Sequence, residues 1–144
     1  MANFGGSGNI GDDRFVGTNS ADFMYGALGK DTMFGNGGND TLLGHEHDDE
    51  LWGGAGNDSL DGGSTTGWGP GGNDKLYGDS GNDYLYGGHG DDLLDGGEGD
   101  DTLRDEHGTN TLYGGTGNDY LQGTGNYFNG GAGNDTLRVC PGGS

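Results

Sequence analysis

Large apolar residues recur along this chain at intervals of nine, and glycine and polar residues fill the positions between them. A nine-residue frame that starts at Gly8 runs unbroken to Asp61, and the same frame resumes at Gly69. The eighth position is apolar in each of the thirteen nonapeptides that the frame defines. These residues are Phe15, Met24, Met33, Leu42, Leu51, Leu60, Leu76, Leu85, Leu94, Leu103, Leu112, Leu121 and Leu137. One period that spans most of a chain predicts a repeat architecture.

Each nonapeptide predicts one tight turn and one very short strand. Its last three residues place an apolar side chain between two outward ones, as in Ser59-Leu60-Asp61. Glycines crowd the first four positions, where a tight turn needs positive φ angles and close approach of neighbouring backbones. One apolar residue per strand cannot form a core alone, but strands stacked in register about 4.8 Å apart would join these residues into a column. The expected fold is therefore an all-β solenoid.

Two seven-residue units interrupt the frame and set the expected organisation. The solenoid is expected over residues 8–138. The expected segments are a lead-in over 1–7, nonapeptide blocks over 8–61 and 69–122, short units over 62–68 and 123–129, a last nonapeptide over 130–138 and a tail over 139–144. Six nonapeptides and one short unit form a layout of 61 residues that occurs twice, which indicates duplication of a larger block.

The composition argues against folding without help. Only 27% of the 144 residues are hydrophobic, 39 are glycine, and 24 acidic residues against 5 basic ones give a net charge of −19. Such a chain buries too little apolar surface to offset its conformational entropy, and it repels itself when compact. Cys140 is the only cysteine, so no internal disulfide is possible. Multivalent cations are the expected source of the missing stabilisation.

The same composition excludes several classes of function. A surface this acidic does not bind nucleic acid or an anionic membrane unaided, and no apolar run is long enough for insertion into a bilayer. The sequence contains no nucleophile elbow, phosphate-binding loop or zincin motif, so an enzyme is not expected.

Aspartate occupies the sixth position of twelve nonapeptides, and Asn110 is the exception. The twelve candidate metal ligands are Asp13, Asp22, Asp31, Asp40, Asp49, Asp58, Asp74, Asp83, Asp92, Asp101, Asp119 and Asp135. Calcium accepts six to eight hard oxygen ligands, which carboxylates and carbonyl-rich glycine turns can supply. The repeats resemble the nonapeptide Gly-Gly-x-Gly-x-Asp-x-U-x of RTX (repeats-in-toxin, or haemolysin-type) proteins, in which U is a large apolar residue. Residues 53–61 and 114–122 are close matches.

This resemblance implies a right-handed parallel β-roll in which two nonapeptides complete one turn, so that each unit stacks on the next unit but one. Calcium ions would lie between stacked turns, held by the sixth-position carboxylates and by backbone carbonyls. If each short unit counts as half a turn, nine pairs of aspartates are expected to stack and to hold about nine ions, whose charge nearly cancels −19. The expected pairs are Asp13/Asp31, Asp31/Asp49, Asp83/Asp101, Asp101/Asp119, Asp119/Asp135, Asp22/Asp40, Asp40/Asp58, Asp58/Asp74 and Asp74/Asp92.

The resemblance also implies a role. RTX modules belong to bacterial proteins exported by type I secretion, and they are disordered without calcium inside the cell and folded by it outside. Sites beside the short units, or sites that use Asn110 or Asn126, are expected to be weak or empty. His47 replaces a fourth-position glycine, so we also expect a weakened site between Asp31 and Asp49.

Outward aromatic residues leave a second function open. Phe34, Trp52 and Tyr86 are expected to form one row along the solenoid with Val16 and Trp68. Aromatic residues are common on exposed strands for their β-propensity alone. The alternative is a contact patch for a sugar ring or a second copy of the chain, as in an adhesin or a polysaccharide-binding module.

The histidines give no clear metal motif. His45 and His47 are two residues apart and do not form an HExxH motif, so a transition-metal site is not expected there. His89 and His107 occupy the same position in units that should stack, so their side chains are expected to be neighbours. An ice-binding solenoid is not favoured, because charged and aromatic residues interrupt the rows of threonine.

Overall fold

The structure is a computed structural model that describes residues 3–5, 10–63, 71–124 and 127–140. These residues form strands and turns. The strands are β1 (Asn3–Gly5), β2 (Arg14–Val16), β3 (Phe23–Leu28), β4 (Thr32–Gly37), β5 (Thr41–Glu46), β6 (Glu50–Ala55), β7 (Ser59–Asp61), β8 (Lys75–Ser80), β9 (Tyr84–Tyr86), β10 (Leu93–Glu98), β11 (Thr102–Asp105), β12 (Thr111–Thr116), β13 (Tyr120–Gly123), β14 (Tyr127–Ala132) and β15 (Thr136–Val139). Within the described ranges no helix is long and apolar enough to cross a membrane.

The strands alternate between two parallel sheets. The eight odd-numbered strands form sheet A and the seven even-numbered strands form sheet B, each in chain order. Every strand pairs with the strands two steps away along the chain, and like residues face each other, as in the row Leu76, Leu94 and Leu112. Two repeats therefore complete one turn of a β-solenoid, which confirms the expected fold class.

The core consists of the eighth-position side chains. Eleven of the thirteen have no exposed surface and form one cluster between the sheets. The two exceptions lie near the two ends of the stack: Phe15 is half-buried, and Leu137 is 47% exposed because no described strand covers it. Each strand contributes one buried residue, and only the stacking of the strands joins these residues into a continuous apolar column.

Most strands are longer than the three residues that the pattern predicts. In β4 the ladder continues past Phe34 into the next repeat, where Asn36 pairs with Gly54 and Gly37 pairs with Ala55. The glycine-rich turn is therefore itself hydrogen-bonded between layers, which satisfies backbone groups that would otherwise be buried without partners.

The first short unit does not form a half-turn. Strand β7 in sheet A is followed directly by β8 in sheet B, and Glu50 of β6 pairs with Lys75 of β8. A Cβ built on Gly62 would lie beside the Asp74 carboxylate, as at the first position of other repeats, and Gly63 stacks under Gly88 at the second position. The repeat thus starts at Gly62 rather than at Gly69, and residues 64–70, outside the described ranges, are an insertion.

The second short unit does form a half-turn. Its last residues belong to β14, which pairs with β12 through Thr111 and Tyr127 and places Phe128 against the core. The sequence explains the difference between the two units. The second has Phe128 at the eighth position, whereas the same reading of the first has Gly67 there, which cannot fill the core.

The segment expected as a lead-in also contributes a strand. Residues of β1 pair in parallel with β3, for example Phe4 with Met24. At the other end β15 continues to Val139, and the amide of Cys140 donates to the carbonyl oxygen of Gly123. The ordered stack therefore extends past the nonapeptide frame on both sides.

Candidate metal centre

The sixth-position aspartates form two columns along the solenoid. Column A precedes the strands of sheet A, and column B precedes those of sheet B. Column A contains Asp22, Asp40, Asp58, Asp83, Asp101, Asp119 and Asp135, and column B contains Asp13, Asp31, Asp49, Asp74 and Asp92, followed by Asn110. All twelve predicted residues are thus brought into two continuous rows.

Eight of the nine expected aspartate pairs stack in this way. The expected pair Asp58/Asp74 is wrong, because the insertion keeps these two residues in different columns. Asp58 instead stacks with Asp83, and Asp49 stacks with Asp74. The described residues therefore contain ten stacked aspartate pairs, six in column A and four in column B.

Each layer is tied to the next by a carboxylate oxygen. In all ten pairs the backbone N–H of one aspartate donates to Oδ1 of the next, at 2.7–3.0 Å. The backbone carbonyl of the aspartate accepts from the residue after the next aspartate, as between Asp40 and Ser59 at 2.9 Å. Oδ1 and both backbone groups are thus used within the fold.

The second carboxylate oxygen has no such partner. In nine of the aspartates Oδ2 is inaccessible to solvent and accepts no hydrogen bond from the described residues. They are Asp31, Asp40, Asp49, Asp58, Asp74, Asp83, Asp92, Asp101 and Asp119, each at most 3% exposed. A buried charged oxygen without a partner is strongly unfavourable, so each one marks a place where a cation would be stabilising.

The raised pKa values of the buried carboxyl groups also indicate that a cation would be stabilising in the columns. Burial raises the pKa of Asp49 and of Asp74 to about 8, and it raises the pKa of Asp83 to about 7. The ion pairs of the described residues join Lys30 to Asp48, Lys75 to Glu50 and Arg104 to Glu106, so they neutralise surface acids rather than the columns. The columns therefore need either protons or an external cation.

Backbone carbonyls supply further oxygens beside the columns. In most of the described turns the second and fourth residues have positive φ, for example Gly97 at 100° and Gly81 at 135°. A Cβ on Gly81 would overlap the carbonyl oxygen of Gly56 in the layer before, and a Cβ on Gly115 would overlap that of Gly97. These carbonyls therefore point along the solenoid axis into the next turn, which favours glycine at both positions. The second position is the less strict one, because Ala27, Asn36, His45 and Asp79 adopt positive φ there.

His47 follows the same backbone path despite its side chain. Its φ of 79° is positive, as at most fourth-position glycines, and its carbonyl oxygen approaches Gly72 in the next layer. The carbonyl contribution of this turn is thus retained. Asp31 and Asp49 also remain stacked, because the backbone N–H of Asp31 donates to Oδ1 of Asp49 at 2.7 Å.

The donor set fits a hard cation. Carboxylate and carbonyl oxygens are the ligands that calcium prefers, and the described columns consist of aspartates and Asn110. Within the described parts of the chain, no three His, Cys, Asp or Glu side chains converge on one point. A site between turns must therefore combine carboxylates with backbone carbonyls.

The histidines do not form an alternative centre. His89 and His107 stack as predicted, with ring centroids 4.3 Å apart and planes 21° apart. Their nitrogen lone pairs lie in nearly parallel planes and do not converge on a shared ion. His45 packs its ring edge-on against Tyr25 instead.

A second ladder, which the sequence reading missed, runs beside the carboxylate columns. Asn82 donates its backbone N–H to Oδ1 of Asn57, and Asn57 donates in the same way to Asn39, at 2.9 and 3.0 Å. These bonds run opposite in direction to those of the aspartates. The sequence contains a pattern that predicts this ladder, because the fifth position is Asn or Asp in ten of the thirteen repeats.

The aromatic row differs from the expected one. Phe34, Trp52 and Tyr77 stack face to face, with centroids 4.7 and 5.2 Å apart, and the Arg14 guanidinium covers the outer face of Phe34. Tyr86 lies in the other sheet, because the insertion does not count as half a turn. Trp68, also expected in the row, lies outside the described residues.

The geometry of this row does not favour a sugar platform. A sugar ring stacks on an open aromatic face, whereas these rings cover one another. Glycan contact or self-association through the row therefore gains no support from its geometry.

Together these features define a class: a parallel β-solenoid whose turns carry buried columns of carboxylates suited to hard cations. The chain belongs to the RTX calcium-binding nonapeptide repeat family, whose model matches in four copies over residues 7–42, 34–65, 68–103 and 108–137. It is therefore a calcium-binding module of RTX type. Such repeats are structural β-rolls typical of secreted bacterial proteins. No curated protein matches the chain.

Proposed function

We propose that this chain is the calcium-folded module of a secreted protein, unfolded where calcium is scarce and ordered by calcium outside the cell. Ions would bind between successive turns, each held by sixth-position carboxylates and by the carbonyl oxygens of the glycine turns. The twelve sixth-position aspartates are the proposed charged ligands.

One observation carries this proposal: in the described ranges, nine sixth-position carboxylate oxygens are buried in two columns and have no hydrogen-bond partner among the described residues. In the absence of cations, the folded state would have to bury these charges or protonate them at a cost in free energy. Unfolding returns the same carboxylates to water. The metal-free chain at neutral pH is therefore expected to be disordered, as its composition also suggests.

Calcium reverses this balance by binding only to the stacked state. Ligands that bind the folded chain and not the unfolded one stabilise it by mass action. Ten stacked pairs could take about ten ions, whose charge of about +20 would offset the net charge of −19. Extracellular calcium modules typically bind at about 0.1–1 mM, so the chain would remain unfolded at cytosolic calcium levels.

The direct test is far-UV circular dichroism of the chain in EGTA during titration with calcium to about 10 mM, which brackets the extracellular range. We expect a cooperative change from a disordered to a β spectrum, and no such change with magnesium at the same concentration. A β spectrum already present in EGTA at neutral pH would contradict coupled folding.

A matched pair of variants tests the ligands. Asp101→Asn keeps Oδ1 as the acceptor for Asp83 but replaces the buried oxygen by an amide, which cannot ligate a cation. Asp100→Asn removes the same charge from the neighbouring fifth position, where Asn82 and Asn118 show that asparagine is tolerated. We expect the first variant to need several-fold more calcium to fold, and the second to behave like the parent. Equal midpoints would exclude the columns as binding sites.

A further inference from the structure

One repeat departs from the pattern at two positions. Residues 105–113 have Asn110 at the sixth position, where the other repeats have aspartate, and Asp105 at the first position, where the others have glycine. By the repeat pattern alone, the layer between Asp92 and Asn110 lacks one carboxylate and should bind calcium weakly. The structure gives reason to revise that expectation.

A sixth-position aspartate accepts a backbone hydrogen bond with Oδ1 and offers Oδ2 to a cation, and Asn110 does only the first. Its Oδ1 accepts the backbone N–H of Asp92 at 2.8 Å, so the ladder between layers continues. Its amide nitrogen donates to the carbonyl oxygen of His107 at 3.0 Å. The end of the side chain that is a carboxylate oxygen elsewhere is therefore a donor here, and it cannot ligate a cation.

Asp105 brings a carboxylate back to the same layer. Its side chain has no exposed surface, and its Oδ1 accepts the backbone N–H of His107 at 3.3 Å. Its Oδ2 occupies the place where a Cβ on Gly87 would lie, next to Oδ2 of Asp92. Both Oδ2 atoms lie within 2.7 Å of that one point, so the carboxyl groups of Asp92 and Asp105 are close neighbours. In a regular repeat this place receives a glycine carbonyl, as Gly96 provides beside Asp83.

Two neighbouring buried carboxyl groups require a positive charge between them. Oδ2 of Asp92 is buried and accepts no hydrogen bond from the described residues. Either a proton or a metal ion can satisfy the pair. A divalent cation would replace the shared proton and would gain two charged ligands instead of one.

We propose that Asp92 and Asp105 hold a calcium ion between residues 87–95 and 105–113, so that Asp105 supplies the carboxylate that Asn110 lacks. This site rests on the proposed function, because it adds one more ion to the same column. Its distinguishing feature is a ligand from the first position of a repeat. The column would then bind calcium without a gap at Asn110.

The first test counts bound ions by equilibrium dialysis with radioactive calcium. Asp105→Asn is almost isosteric and is expected to bind about one ion fewer than the parent chain. Asp91→Asn is the matched control, because it removes a neighbouring exposed charge and asparagine occupies that position in other repeats. The double variant D105N/N110D is expected to regain the lost ion, since aspartate returns to the sixth position.

A second test does not depend on the folding of the Asp105 variant. With Asp105 in place the layer already holds its ion, so N110D alone is expected to bind the same number of ions as the parent. A gain of one ion in N110D, or an unchanged count in D105N, would overturn the site and identify the pair as proton-sharing. A parent chain that binds no calcium at all would instead refute the proposed function.

Discussion

The fourth-position glycines are the residues with the least tolerance for a side chain. Gly56, Gly81 and Gly99 share the column A turns, have φ between 133° and 137°, and lie against the carbonyl of the layer before. A side chain here is opposed twice, by the backbone conformation and by overlap with another backbone group. The first turn is different, because a Cβ on Gly11 would meet nothing within 4 Å.

We therefore expect Gly81→Ala to destabilise the calcium-bound roll by more than about 2 kcal/mol, from left-handed strain and steric overlap. Gly11→Ala changes the same repeat position in open space and is the control, with an expected effect within about 0.5 kcal/mol. Urea unfolding at a fixed calcium concentration measures both. Similar stability of the two variants would mean that the carbonyl columns are not close-packed.

At the scale of elements, the insertion at 64–70 shows what a turn can accommodate. Gly62 and Gly63 occupy the first and second positions of their repeat, and the repeat continues at Gly71 on the other side of the insertion. Joining Gly63 to Gly71 would give Gly-Gly-Gly-Gly-Asn-Asp-Lys-Leu-Tyr, a regular nonapeptide. The core and both columns pass this point without interruption.

We expect deletion of residues 64–70 to leave the calcium midpoint and the number of bound ions nearly unchanged. Deletion of 123–129 removes a comparable length but also half a turn, because part of that segment belongs to β14. It would move the last repeat to the other sheet and should lower the number of ions. Calcium titration and dialysis compare the two deletions, and equal losses would contradict the assignment of the insertion.

The periodicity predicts the stacked strands and the core column, because burial and pairing repeat with the sequence. The resemblance to the RTX repeat, with two nonapeptides per turn, adds eight of the aspartate pairs. Counting the first short unit as half a turn assigns the strands after it to the wrong sheets. Gly62 and Gly69 both begin acceptable repeats, and only the missing apolar residue at position eight separates the two readings. Starting the repeat at Gly69 also places Tyr86 in sheet B, whereas it lies in sheet A. The fifth-position ladder was missed because an exposed asparagine has many ordinary explanations.

At the scale of the whole molecule, folding is expected to depend on pH through the buried carboxylates. Burial raises the pKa of Asp58 and Asp101 to about 6 and that of Asp49 and Asp74 to about 8, above the value of about 3.9 in an unfolded chain. A group whose pKa is raised by folding stabilises the fold at low pH, and that stabilisation is lost as the pH rises through the folded value.

The metal-free chain is therefore expected to gain β structure as the pH falls from about 8 to about 5, opposite in direction to ordinary acid denaturation. Circular dichroism of chelator-stripped protein measures this, and the scan stops above the sequence pI of about 4.1 to avoid precipitation. A chain that stays disordered over the whole range would show that neutralising the columns is not sufficient for folding. The calcium-bound chain is the control and should be ordered at pH 8.

The irregular repeats solve a problem that a perfect repeat would create. If all units were alike, the chain could slide by one full turn of 18 residues and recover nearly every contact, so many alignments would have similar energies. The interruption of the frame at 64–70, the shortened unit at 123–129 and the neighbouring carboxylates of Asp92 and Asp105 each occur at one place in the chain, so each fits only one alignment. They act as position markers that leave a single lowest-energy arrangement, which lets a sequence of low complexity specify one structure.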